Sequence, residues 1–175
     1  QYIKESIKVK RESSFSGYSM KPRFEVCYTL SGEEFKYSGN KHLTTKYPSH
    51  VLKVIPIFKD KIREMIESKD LKYEKLSVSI DILYSPEIER GGSISPHSDD
   101  EMEWGLVIIF SLGQTRWLRI RNKETKKYIN VEMKHNSIVC MYGETFQKKY
   151  THQVDKLKKD DNVKTRLSLN IRFLE

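Results

Sequence analysis

The chain predicts a mainly β fold with flanking helices, an α+β arrangement built around a double-stranded β-helix, or jelly-roll. Three observations carry this. From Leu76 onward, short apolar or alternating runs recur between turn signals. A single helical layer precedes them, and the last run alternates with a clean period of two. Many short strands after one helical layer suit a sandwich closed around a cavity. At 175 residues the chain fits one domain with a proper core.

Taken in order, residues 1–20 are polar and interrupted by Ser13, Ser14, Ser16 and Gly17, which predicts a partly ordered N-terminal segment ahead of a domain over 21–175. Arg23 to Leu30, Ser31-Gly32 and Glu33 to Tyr37 read as a hairpin. Tyr47 to Lys69 reads as helix, with Ile57, Phe58, Ile62, Met65 and Ile66 as its core stripe and Pro56 expected to break it in two. Strands are expected at 76–84, 105–112, 115–121, 127–132, 137–142 and 165–173. Gly113-Gln114, Asn122-Lys123 and His135-Asn136 supply the turns between them. No internal repeat or low-complexity stretch interrupts this order.

The chemistry concentrates in the loop between the first two of these strands, where His97-Ser98-Asp99-Asp100-Glu101 stands. On extended backbone, residues two apart point to one side, so His97 and Asp99 can converge on one ion. A third ligand must come from another histidine. His42 and His50 lie in a polar, turn-rich stretch, and His135 sits in a turn that points it to solvent. His152 follows a loop and shortly precedes the last strand, so it is the better choice. Two imidazoles and one carboxylate leave open positions on a metal, the facial arrangement that suits Fe(II) in oxygen-activating enzymes. Arg166, some way beyond His152, offers a planar cation able to grip the far carboxylate of 2-oxoglutarate.

In Thr165-Arg166-Leu167-Ser168-Leu169-Asn170-Ile171-Arg172-Phe173 the even positions are polar and the odd positions from 167 apolar. One face packs on a core; the other lines a polar pocket.

The block at 97–101, Phe110-Ser111-Leu112-Gly113, His152 and the strand at 166–172 together resemble the AlkB family of Fe(II) and 2-oxoglutarate dependent dioxygenases, over about residues 20–174. Pro22-Arg23 and Phe35 to Gly39 look like that family's nucleotide-recognition lid, which would occupy about 22–50. The resemblance implies iron bound by His97, Asp99 and His152, which are then also the catalytic centre. It implies 2-oxoglutarate held by Tyr84, Arg166, Ser168, Asn170 and Arg172, with dioxygen as the second co-substrate. Phe35, Tyr37, Glu101 and Arg121 would contact substrate. Two departures stand out: Ile82 where the family often has Asn, and a longer loop between Tyr84 and His97 containing Pro86 and Gly91-Gly92. The implied activity is oxidative demethylation of N-alkylated bases in DNA or RNA, giving succinate, CO2 and formaldehyde. The alternatives are a 2-oxoglutarate dependent hydroxylase or demethylase of protein, and a non-catalytic nucleic-acid binding module.

Composition agrees. A formal charge of +8 and a pI near 9.3 favour a polyanionic partner. Basic clusters lie at Lys8 to Arg11, Lys123 to Lys127, Lys148-Lys149 and Lys156 to Lys164. Trp104, Trp117 and Tyr37 are candidates to stack an extruded base. Cys27 and Cys140 lie in strand-like runs and read as reduced thiols of an intracellular protein, in cytoplasm, nucleus or a virus-infected cell. No apolar run is long enough to span a membrane, and a monomer is expected. A chain opening on Gln1 leaves its true N-terminus open.

Overall fold

The computed structural model describes residues 24–29, 32, 35–37, 40–42, 44–46, 49–65, 75–84, 92–99, 106–158 and 164–174. Its elements run β1 (Phe24–Thr29), β2 (Phe35–Tyr37), β3 (Asn40–His42), β4 (Thr44–Lys46), α1 (Ser49–Met65), β5 (Lys75–Tyr84) and β6 (Ile94–His97). They continue with β7 (Leu106–Gly113), β8 (Arg116–Asn122), β9 (Tyr128–Met133), β10 (Ser137–Tyr142), α2 (Glu144–Lys149), β11 (Tyr150–Val154) and β12 (Arg166–Leu174). The expected strands at 76–84, 105–112, 115–121, 127–132, 137–142 and 165–173 each appear within a residue of their bounds. The expected N-terminal segment lies outside the described residues.

A six-stranded sheet has the order β10-β7-β12-β5-β1-β4, and a four-stranded sheet the order β6-β11-β8-β9. Among the described residues, only β1 and β4 pair in parallel. The others meet as antiparallel neighbours, the arrangement in which alternating side chains can bury one face each.

Alternation then assigns every residue of β7 to one of two layers. Leu106, Ile108 and Phe110 face α1, whose Ile55, Phe58 and Ile62 pack with Tyr28, Ile171 and Phe173. Val107 and Ile109 face the other way, into the sandwich, where they meet Leu118, Met133, Met141 and Val154. Fully burying each such aliphatic side chain contributes about 1.5–3 kcal/mol, and the layer against α1, which includes Ile171 and Phe173, anchors the apolar face of β12 and leaves its polar face toward the sandwich.

Three expectations need correction. Pro56 does not break the helix; α1 runs through it in one piece. The stripe at 55, 58 and 62 buries against the sheet, and that packing outweighs the hydrogen bond that proline forfeits. Ile57 is exposed and belongs to the outer side, while Met65's side chain and Ile66 lie outside the described residues. The hairpin over 23–37 is also not formed. β1 pairs with β4 and β5, whereas β2 pairs with β3 as a separate two-stranded sheet. Of the stretch expected to form the lid, 24–29 and 44–46 thus build the main sheet, and β2–β3 stands apart from it.

Among the described residues no helix is long and apolar enough to cross a membrane. Cys27 and Cys140 are not joined in a disulfide, and the first is buried. Burial raises the Cys140 thiol above its ordinary range.

Candidate metal centre

β6 and β11, neither of them expected as strands, are what bring the site together. They pair antiparallel with His97 directly opposite His152, and β11 pairs on its other edge with β8, setting His152 opposite Ile120. The two imidazoles lie 4.1 Å apart between ring centroids, tilted by 52°. Asp99 follows just beyond the end of β6 and is fully buried. One donor atom from each of His97, Asp99 and His152 lies within 4.8 Å of the other two.

Hydrogen bonds fix the pieces. His97 Nδ1 stands 2.8 Å from the Ser95 carbonyl, and the proton it donates there leaves the Nε2 lone pair toward the centre. Ser98 Oγ donates to the Tyr150 carbonyl at 2.8 Å, and the Asp99 backbone N–H donates to Gln147 Oε1 at 2.9 Å. The segment carrying Asp99 is thereby tied to α2 and to the start of β11. His97 Nε2 and Asp99 Oδ1 are 3.7 Å apart, too far for a hydrogen bond and near enough for two metal–ligand bonds of about 2 Å to close on one ion.

Electrostatics point the same way. Burial, reinforced by His97, holds the His152 imidazole down at about 3; Asp99 opposes this and Arg172 adds to it. His152 is therefore neutral near pH 7, the form in which an imidazole binds metal. Its Nδ1 is buried and makes no hydrogen bond among the described residues. The donor set and its geometry fit a divalent iron.

The polar face of β12 lies opposite. Arg166, Ser168, Asn170 and Arg172 pair with Gly113, Ser111, Ile109 and Val107, so all four point into the sandwich with Val107 and Ile109. Arg166 is only 1 % exposed and donates through Nη2 to Ser111 Oγ at 2.9 Å and toward Met133 Sδ at 3.6 Å. Arg172 Nε stands 3.7 Å from Asp99 Oδ2, an ion pair that spans the two sheets and orients the carboxylate.

The remaining expected residues fall elsewhere. Tyr84 ends β5 with its backbone opposite Arg166, but its side chain lies outside what is described, as do those of Phe35 and Tyr37 on β2. Glu101 and Trp104 lie outside the described residues altogether. Arg121 and Trp117 sit on the outer side of β8, since Arg116 and Leu118, the inward neighbours, are buried. Trp117 therefore stacks nothing inside the sandwich. His135 accepts the Gly113 N–H at Nδ1, 3.0 Å away, and takes no part in the centre.

Gln147 was not anticipated, and Ser111 was read only as part of the run at 110–113, with no role given to it. Ser111 carried a signal, being the one polar side chain within Leu106–Leu112; Gln147, in a short polar helix, carried none.

The profile of the 2OG-Fe(II) oxygenase superfamily matches residues 1–172. The chain belongs to that superfamily. Membership makes it an Fe(II)/2-oxoglutarate dependent dioxygenase, with iron as cofactor and 2-oxoglutarate and dioxygen as co-substrates. Among solved structures, OsALKBH1 superposes with a TM-score of 0.60 at 15 % identity, covering 99 % of this chain and 90 % of that one. That likeness establishes the AlkB-type jelly-roll fold. A Pseudomonas putida prolyl-4-hydroxylase superposes with a TM-score of 0.49 at 13 % identity over 87 % of this chain and 70 % of that one. No curated protein sequence matches the chain.

Proposed function

We propose that this oxygenase oxidatively demethylates N-alkylated bases in DNA or RNA, releasing formaldehyde. The observation that carries the reading is the juxtaposition inside one sandwich of the His97, Asp99, His152 cluster with the inward polar face of β12, whose Arg-x5-Arg pattern resembles the AlkB family. The +8 charge and the AlkB-type fold support a nucleic-acid substrate.

His97, Asp99 and His152 are the residues that would hold iron. Together with 2-oxoglutarate and dioxygen, the metal supplies hydroxylation of a carbon–hydrogen bond as the co-substrate goes to succinate and CO2. The chain's own contribution is positioning. Ser95 orients His97, Gln147 orients Asp99, and the Arg172 guanidinium offsets the buried negative charge of Asp99.

Arg166 presents a planar, permanently charged fork matched to the distal carboxylate of 2-oxoglutarate; Ser168, Asn170 and Arg172 share its face of β12, and Tyr84 would complete the pocket. Phe35, Tyr37 and Glu101 are assigned to the target base. The hydroxymethyl product on nitrogen falls apart to formaldehyde and the bare base. Extruding a base from a duplex costs a few kcal/mol, which favours single-stranded or damaged substrates.

The test is a panel of methylated single-stranded DNA, single-stranded RNA and peptides, scored for stimulation of 2-oxoglutarate turnover. Stimulation by a methylated oligonucleotide, with formaldehyde released, is the expected result. Stimulation by peptide alone would move the assignment to a protein hydroxylase.

A further inference from the structure

Trp117, Arg119 and Arg121 occupy alternate positions of β8 and share the side of the four-stranded sheet that faces away from the sandwich. Tyr128 of β9 stands directly opposite Arg121 on that side. Trp117 is 51 % and Tyr128 52 % exposed, unusual for aromatic side chains in a small domain. Both guanidinium groups lie over the Tyr128 ring, Arg119 at 4.8 Å and Arg121 at 5.5 Å from its centroid. Arg119 is held there by an ion pair with Asp155 at 2.6 Å, and Asp155 in turn accepts from Gln153. The result is a pre-formed cluster of two guanidinium groups on the Tyr128 ring, with the exposed Trp117 two positions along β8 from Arg119.

The chemistry around this row is basic. The β8–β9 turn brings Lys123, Lys126 and Lys127 to one end of the face, and the Lys123 N–H donates to the Lys149 carbonyl at 2.8 Å, which joins α2 and its Lys148-Lys149 pair to the same rim. That rim is also where Gln147 and Tyr150 tether the Ser98-Asp99 segment. The face and the candidate metal centre are therefore back to back across one sheet, with Arg121 one residue along β8 from Ile120, the partner of His152.

We propose that this outer face of the four-stranded sheet is a docking surface for single-stranded nucleic acid, which stacks bases on Trp117 and on the Arg119–Tyr128–Arg121 cluster while the lysine rim meets phosphates. Every base offers a π-face, so such a platform is sequence-tolerant, and a strand held on it is presented repeatedly to the adjacent site. Paired bases in a duplex have no free faces to offer. Charge complementarity selects the occupant: cations outnumber carboxylates along this face and its rim. The choice of occupant rests on the nucleic-acid reading above; the existence of the face does not.

The experiment measures binding of labelled oligo(dT) and oligo(U) of about twenty nucleotides by fluorescence anisotropy over a salt series, for the full chain and for Trp117→Ser/Tyr128→Ser. Turnover on a methylated trinucleotide, too short to reach both face and site, is assayed in parallel, and far-UV circular dichroism checks the fold. The double variant is expected to bind the long strands on the order of a hundredfold more weakly, about tenfold per lost stacking contact. Its salt slope should barely change, since no phosphate contact is removed. Trinucleotide turnover should stay at the wild-type level, and Trp117→Phe should retain most of the affinity.

Equal long-strand affinity in wild type and double variant would overturn the docking face and leave the demethylase reading standing. Parallel loss of trinucleotide turnover with an intact circular dichroism spectrum would also overturn it, because the face would then belong to the catalytic site. If wild type binds no strand even at low salt, the nucleic-acid reading fails and takes the occupant with it. Concentration-dependent dimerisation abolished by the same substitutions would assign the face to a second copy of the chain.

Discussion

At the scale of single residues, the account rests on His97, Asp99, His152 and Arg166. Replacing any of the first three by Ala would leave two of the three proposed protein ligands, and Fe(II)-dependent turnover should be lost while the circular dichroism spectrum persists. His135→Ala serves as the control and should keep activity, because His135 caps the Gly113 N–H far from the other histidines in role. Arg166→Ala should weaken 2-oxoglutarate binding by about 2–5 kcal/mol, on the order of truncating one half of a buried charge pair. Lys should rescue only in part, lacking the planar fork; an unchanged apparent affinity in the Ala variant would sink the assignment. Titration gives a further check. His152 has an ordinary value of 6.5 and is held at about 3 in the fold. The native state thus favours its neutral form, a contribution complete above pH 6.5 and lost progressively as pH falls toward 3. Denaturant unfolding of the metal-free chain should show stability dropping over that window, and less steeply in His152→Gln.

At the scale of elements, two sites test why the backbone runs as it does. Gly113 turns β7 into β8 at φ +87°, and a Cβ there would meet the Thr165 carbonyl oxygen at 2.2 Å. Gly113→Ala should therefore cost about 1–3 kcal/mol of stability from strain alone, read as a lower urea midpoint with an unchanged slope. Its neighbour across the ladder is Arg166, so 2-oxoglutarate affinity should fall with it. Pro56 sits exposed inside α1. Its replacement by Ala restores helix propensity worth up to about 3 kcal/mol, less up to about 1 kcal/mol for a freer unfolded chain, so the midpoint should rise.

The same scale separates what was legible in the sequence from what was not. β5, β7, β8, β9, β10 and β12 announced themselves through long apolar or alternating runs, and β12's two faces were readable residue by residue. β6 and β11, only 4 and 5 residues long, have too little sequence for a period to emerge. Yet their pairing is what sets His97 beside His152. β1 and β2 read as a hairpin because local turn chemistry at Ser31-Gly32 is visible while the distant partners β4 and β5 are not. The identities of the candidate ligands were readable from residue type and order; the support from Gln147 depends on a contact 48 residues apart in sequence, and that from Ser95 on a local backbone carbonyl that any residue there would offer, so neither was.

At the scale of the whole molecule, a nucleic-acid substrate as proposed would be met through charge. Lys148 and Lys149 are exposed in the last turn of α2. Replacing both by Gln should lower the slope of log affinity against log salt by about two if both touch phosphate, with turnover at saturating substrate little changed. An unaltered slope would return that pair to the status of a solvated helix end. The most direct test of the central claim is the yield of formaldehyde per succinate on a methylated single-stranded oligonucleotide, run with Fe(II) on wild type, His152→Ala and His135→Ala. The account predicts equimolar products from wild type and His135→Ala and none from His152→Ala; succinate without formaldehyde on every methylated strand, or full activity in His152→Ala, would contradict it.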